Sequence, residues 1–183
     1  MVEKTYLTAD QLLEDSLRLA NLICDSGFRP THIVGIWRGG APVGIAVQEL
    51  LAYRGIETVH IAIRTSSYTG IGEQREVKVF ALGYLVDSLR SEHRLLVVDD
   101  VFDTGRSIAA FLGELRARCG PAMPQTVRIA TAYWKPSANR TALRPDYFVH
   151  MTEEWLVFPH EICGLSEAEI RAHKSGAALI LRD

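Results

Sequence analysis

Apolar residues recur along this chain in two rhythms. Between Asp10 and Gly27 they fall at Leu12, Leu13, Leu17, Ala20, Ile23 and Cys24. That spacing places them on one face of a helix, and Gly27 supplies a stop. "HIVGIW" (His32–Trp37) is a short unbroken apolar run ended by Arg-Gly-Gly, which reads as a buried strand. The two patterns then alternate. Ala41–Gly55 reads as a helix, Thr58–Ile63 and Arg94–Val98 as strands, Arg106–Gly120 as a helix, and Thr126–Trp134 and Asp146–Met151 as strands. Ser166, with Glu169 three residues on, marks the capped start of a last helix, Ser166–Gly176. One stretch breaks the rhythm. Arg64–Val77 is rich in hydroxyls and glycine and nearly devoid of apolar residues, which predicts a mobile loop. Val77–Val86 reads as the strand that follows it.

Strands alternating with helices predict an α/β fold, a mostly parallel central sheet with helices on both faces. Ligands of such sheets bind beyond the carboxyl ends of the strands. That rule selects the segments Trp37–Gly40, Arg64–Arg75, Asp99–Ser107 and Lys135. No repeat, linker or low-complexity tract divides the 183 residues, so a single domain spanning 1–183 is expected.

Composition narrows the function classes. A hydrophobic content of 48% with 23% charged residues is that of an ordinary soluble globule. The net charge of −2 gives nucleic-acid binding no support. No apolar run approaches the roughly 18 residues that would cross a bilayer. Met1–Gln11 has no apolar stretch and predicts no secretory leader. The three cysteines, Cys24, Cys119 and Cys163, form no CxxC or zinc pattern and read as buried thiols in a reducing cytoplasm. The six histidines are scattered without ligand spacing.

The chemistry concentrates in "LLVVDDVFDTGRS" (Leu95–Ser107). Asp103-Thr104-Gly105-Arg106-Ser107 lies between a strand and a helix, where free backbone amides point outward and carry partial positive charge. Gly105 allows close approach, and the Thr104 and Ser107 hydroxyls add hydrogen bonds, so a phosphate group is the natural guest. Neither GxxxxGK[ST] nor a GxGxxG after a strand occurs. A bare phosphate would repel Asp99, Asp100 and Asp103, so the ligand must also bring hydrogen-bond donors or a cation. A sugar phosphate with Mg2+ brings both: its hydroxyls meet Asp99 and Asp100, and Asp103 is left as a proton acceptor. Taken singly, each acid would be a helix cap or a solvated strand end. The acid cluster of a phospho-accepting receiver domain is a rival reading, but a receiver needs no phosphate cradle directly behind its acids.

The same stretch resembles the phosphoribosyl-pyrophosphate (PRPP) signature of the type I phosphoribosyltransferases: an apolar strand, two acids, two mostly apolar residues, then Asp-Thr-Gly. An Asp at position 103 points within that family to enzymes of 6-oxopurines (hypoxanthine, guanine, xanthine). "WRGG" (Trp37–Gly40) resembles the pyrophosphate loop, in which a residue-to-glycine peptide, here Arg38–Gly39, is often cis. "SSYTGIGEQREVKV" (Ser66–Val79) resembles the lid of bacterial xanthine-guanine phosphoribosyltransferases, and "YWKP" with "EEWLVFPHE" (Glu153–Glu161) their base-binding end. The likeness runs from about Ile33 to Glu161.

The resemblance implies the family fold with a small C-terminal hood from about residues 150–183, and a role for each matching residue. Asp99, Asp100, Asp103, Thr104, Gly105, Arg106 and Ser107 would hold the ribose 5-phosphate of PRPP. Arg38, Gly39, Gly40 and the lid residues Ser66, Ser67 and Tyr68 would hold pyrophosphate, the lid excluding water. Trp155 would stack on the purine, Lys135 would meet its 6-oxo group, and the Leu156 backbone would accept from the base edge. Outside such a motif a tryptophan is most often core and a lysine most often solvated. Asp103 would act as acid–base catalyst, with Mg2+ at Asp99 and Asp100 and a second metal touching Glu161, where relatives often carry Asp. His160 receives no chemistry. The activity implied is transfer of ribose 5-phosphate from PRPP to a 6-oxopurine in cytoplasmic purine salvage. Relatives are commonly homodimers or homotetramers, and Tyr84–Leu89 offers an apolar surface for pairing. Two alternatives stand beside this: a PRPP-sensing regulator of the same fold without catalysis, and a phosphoribosyltransferase for another nucleobase.

Overall fold

The computed structural model describes residues 4–69, 75–80 and 82–181. In chain order its first half holds β1 (Lys4–Tyr6), α1 (Ala9–Asp25), β2 (His32–Trp37), α2 (Gly40–Tyr53), β3 (Val59–Thr69), β4 (Arg75–Phe80) and α3 (Gly83–Ser88). The second half holds β5 (Arg94–Phe102), α4 (Arg106–Cys119), β6 (Thr126–Trp134), β7 (Tyr147–Met151), β8 (Trp155–Val157), α5 (Glu167–His173) and α6 (Ala177–Ile180). Six strands form one sheet in the order β4-β3-β2-β5-β6-β7. All its neighbours are parallel except the β3–β4 hairpin.

Strand β5 shows why the sheet is covered on both sides. Leu95, Leu96, Val97 and Val98 are all fully buried, and because a strand alternates faces they serve two cores. Leu96 and Val98 join Leu19 and Ile23 of α1 and Val43, Val47 and Leu51 of α2. Leu95 and Val97 join Phe111 and Leu115 of α4 and Leu85 of α3. Helix α1 starts where Thr8 and Gln11 cap each other's amides, at 2.8 and 3.1 Å. The Ser166–Glu169 capping box predicted for the last helix is present, although that helix ends at His173 and α6 follows as a separate turn.

The structure corrects four expectations. The stretch Arg64–Val77 is largely a strand pair: Arg64 to Thr69 run antiparallel to Arg75 to Phe80. Backbone pairing at a sheet edge needs no apolar side chains, so composition alone misled there; residues 70–74 lie outside the described residues. The strand predicted over Val77–Val86 ends at Phe80, and Gly83–Ser88 is helical, since Leu82, Leu85 and Leu89 at spacings of three and four all turn into the core. For the same reason Tyr84–Leu89 offers little apolar surface for pairing, with Leu85 and Leu89 buried and Tyr84 exposed. Of the three cysteines only Cys119 is buried; Cys24 is half-buried and Cys163 exposed.

One feature was invisible in the hydrophobic pattern. The three-residue strands β1 and β8 pair in parallel as a separate small sheet, Thr5 opposite Leu156. The region from about residue 150 onward therefore does not stand alone. Lys4 Nζ and the Tyr6 hydroxyl also reach Glu169 Oε1 of α5 at 2.6 and 2.7 Å, and the Tyr6 ring stacks on His173.

Candidate active site

Beyond the carboxyl ends of β2, β5 and β6 lies a cavity of about 360 Å3. It collects Arg38 and Gly39 from the loop after β2, Thr65 from β3, Asp99, Asp100, Asp103 and Ser107 around the end of β5, and Lys135 just after β6. Trp155, Leu156 and Glu161 close it from the side of the small sheet. A second cavity of about 70 Å3 adjoins it, sharing Asp99, Asp103 and Ser107 and adding Thr104 and Gly105. Arg106 is exposed and lines neither; Gly40, the first residue of α2, lines neither and packs against Val98 and Asp99 of β5.

The two glycines of "WRGG" are required by the acids of β5. A Cβ built on Gly39 would lie 1.9 Å from Asp100 Oδ2, and one on Gly40 would lie 2.3 Å from the Val98 carbonyl oxygen. The loop after β2 is thus pressed onto the acid pair, a contact only glycine permits. The cis peptide of this loop is Trp37–Arg38, one residue earlier than the Arg38–Gly39 bond suggested by the resemblance.

The acid pair belongs to the strand, not to the turn after it. β5 runs on to Phe102, with Asp99 paired to Thr131 of β6. Asp100 is buried at 8% exposure, and its Oδ1 accepts the Val101 amide at 2.8 Å. Asp99 Oδ1 accepts the Asp100 amide at 3.0 Å. Burial first, and the charge of Asp100 second, push the Asp99 carboxyl well above the usual carboxylate range. Two crowded carboxylates with hard oxygen donors are a site that gains from a divalent cation. Among the described residues no group of three or more His, Cys, Asp or Glu side chains could hold a metal alone. The pair therefore fits a cation that draws its remaining oxygens from a ligand.

The smaller cavity lies against the start of α4. Its N-cap, Gly105, is left-handed with φ +73° and gives no side-chain cap. A Cβ there would meet Thr141 Oγ1 at 2.6 Å and the Phe102 ring at 2.7 Å. The amides of the first helical turn have no acceptor within the helix. A small cavity with Thr104 and Ser107 around such amides suits a phosphoryl group.

On the opposite wall, Trp155 is 57% exposed and presents its ring at the cavity mouth, whereas Leu156 is buried and its backbone pairs with β1. The Lys135 amide donates to the Phe102 carbonyl at 2.9 Å, tying its loop to the end of β5. Glu161 lines the cavity, but its Oε2 accepts the Phe158 amide at 2.9 Å. Phe158 and His160 line the cavity too, as do Ile36, Trp37 and Val101. The motif drew attention to Trp37 and His160 by position only; what places them is the packing of chain segments far apart in sequence. Ser66, Ser67 and Tyr68 follow Thr65 along β3, paired with Lys78, Val77 and Glu76. Their side chains lie outside the described residues.

With this geometry in hand, similarity to known proteins is informative. The phosphoribosyl transferase domain family matches residues 4–165. A hypoxanthine-guanine phosphoribosyltransferase of Lactococcus lactis is 28% identical over 149 residues, 80% of this chain and 75% of that one. The crystal structure of a purine phosphoribosyltransferase from Pyrococcus horikoshii superposes with a TM-score of 0.71 at 25% identity, covering 90% of this chain and 98% of that one. A xanthine-guanine-hypoxanthine phosphoribosyltransferase from Helicobacter pylori shares the fold, with a TM-score of 0.66 at 23% identity over 87% of this chain and 95% of that one.

Proposed function

This chain belongs to the phosphoribosyltransferase family, and on that footing we propose that it transfers ribose 5-phosphate from PRPP to a 6-oxopurine, releasing pyrophosphate, in cytoplasmic purine salvage. The observation that carries this reading is the single cavity of about 360 Å3 that brings Arg38, the acid pair, Asp103, Lys135 and Trp155 together. The likeness to the purine enzymes of L. lactis and P. horikoshii supports it.

The two cavities divide the substrates. The 5-phosphate sits against the α4 amides, Thr104 and Ser107, where the helix start favours negative charge. The ribose diol faces Asp99 and Asp100. Pyrophosphate lies toward Arg38 and the Gly39 backbone. Ser66, Ser67 and Tyr68 serve as the lid over it, excluding water that would hydrolyse the activated sugar. The purine stacks on Trp155, and the Lys135 ammonium donates to its 6-oxo group. Adenine would put a donor against that donor and is rejected.

The ribose–pyrophosphate bond loosens first, leaving an oxocarbenium-like carbon. Arg38 stabilises the charge building on the leaving group. As N9 attacks, Asp103 accepts the proton shared at N7. Mg2+ held by Asp99 and Asp100 would add positive charge beside the diol and pyrophosphate. Glu161, with one oxygen engaged by the Phe158 amide, keeps the other for a second cation.

An ultraviolet assay tests this with PRPP, Mg2+ and each of hypoxanthine, guanine, xanthine, adenine, uracil and orotate. Turnover with at least one 6-oxopurine is the expected result. Turnover only with the other three bases overturns the base assignment. PRPP binding without turnover of any base identifies the regulator instead.

A further inference from the structure

We propose that His160 is a positioning residue that ties the base-binding wall to the PRPP-binding acids by holding the Asp100 carboxylate. This rests on the function proposed above. His160 lies on the segment that closes the cavity beside the purine, yet its Nε2 is 3.4 Å from Asp100 Oδ2. The same oxygen is the one pressed against Gly39, where a Cβ would sit 1.9 Å away. Asp100 is therefore the point at which the pyrophosphate loop, the acid strand and the base-binding turn meet.

The ring is held in place for this contact. It stacks on Phe158, with centroids 5.7 Å apart and planes 14° from parallel. Phe158 is buried, and its ring meets Tyr133 edge-on at 5.8 Å. Lys174 Nζ donates to the Phe158 carbonyl at 2.6 Å from behind. His160 Nδ1 is buried with no hydrogen-bond partner among the described residues. A proton on Nδ1 would have no acceptor, so the ring turns its Nε2 edge to the carboxylate as the donor. One oxygen of Asp100 is thus engaged by the Val101 amide and the other faced by His160. That limits the carboxylate's rotation and fixes what it presents to the diol. A residue on the purine side would then control affinity for the sugar.

Two variants separate the polar contact from the stacking. His160→Phe keeps an aromatic ring on Phe158 and loses the donor. His160→Gln places an amide N–H near the Nε2 position and loses the ring. PRPP binding with Mg2+ is measured by calorimetry, and KM for PRPP and for the base by steady-state assay. Loss of this polar contact to a carboxylate predicts PRPP affinity about tenfold weaker in His160→Phe. The base KM is expected to change by less than about twofold, and His160→Gln to remain near wild type. Equal loss of PRPP affinity in both variants overturns the proposal, as does an effect confined to the base KM or a loss that tracks a lowered melting temperature. A wild-type chain that binds PRPP without turning over any base overturns only the proposed function, because the calorimetric comparison still reads His160. One that binds no PRPP overturns both.

Discussion

Asp99 and Asp100 are adjacent in sequence and crowded in space, and the fold does not relieve the repulsion. Burial and the neighbouring charge raise the proton affinity of Asp99 well above its ordinary value of 3.8. A raised carboxyl contributes stability while protonated, below that ordinary value, and loses it as pH rises through its folded value. At neutral pH it is therefore a burden, tolerated where function needs the charge. Asp99→Asn never ionises, so it should melt higher than wild type at pH 7, by roughly 2–4 °C per kcal/mol relieved. The advantage should shrink as the pH is lowered, and PRPP affinity should fall. Calorimetric melts at several pH values check the first two points and titration with PRPP the third. Asp103 is exposed and lies between the two cavities. Asp103→Ala should cut kcat by roughly 10²–10⁴ with PRPP affinity largely kept, as expected of a proton acceptor rather than a sugar ligand. Rapid-quench turnover alongside PRPP titration distinguishes the two roles.

Among the elements, the turn from β5 into α4 carries the tightest constraint. Gly105 is left-handed, and both Thr141 and the Phe102 ring occupy the space a Cβ would need. Gly105→Ala should therefore destabilise by more than the roughly 1–2 kcal/mol of a left-handed non-glycine backbone. Urea unfolding measures this, and an unchanged midpoint would show that the turn rearranges freely. The small β1–β8 sheet is built differently. Three-residue strands bring little pairing of their own, so side chains hold it. Lys4, Tyr6 and the Ser166 amide converge on Glu169, holding its carboxyl well below the usual range, while the Glu169 contact pushes the Tyr6 hydroxyl up to about 12. Through this cluster the N-terminal strand and the last helices brace the wall that carries Trp155. None of it is visible as hydrophobic periodicity, because the contacts are polar and span more than 160 positions.

For the molecule as a whole, the two ends of the sheet do different work. At the amino end of β2, His32 is 4% exposed and its ring lies 4.5 Å from that of His93. Burial first, and the charge of His93 second, lower its proton affinity below the ordinary 6.5. A depressed histidine contributes full stability above that ordinary value and loses it as pH falls through its folded value. The urea midpoint of the wild-type chain should drop between pH 7 and pH 5, and that of His32→Asn should drop less. Equal slopes for the two would rule out His32 as the source. At the opposite end of the same strand, Trp37 and Arg38 open the loop that lines the larger cavity.

Much of this was legible before any coordinates. Runs of apolar residues determined the order of strands and helices, because burial on a two-sided sheet demands them. The motifs from Leu95 to Ser107, at "WRGG" and at Glu153–Glu161 pointed to the segments that line the two cavities, because few residue types can cradle a phosphate beside carboxylates. The edge hairpin beyond Arg64 and the N-terminal strand were not legible, because backbone pairing and polar clamps leave no hydrophobic rhythm; the short helix at Gly83 is written in Leu82, Leu85 and Leu89, but its few residues read equally as a strand. Only the tertiary structure decided that Gly39 and His160 both meet Asp100. Those three come from the loop after β2, from β5 and from the turn after β8, and no local pattern encodes a contact made when three distant segments pack together.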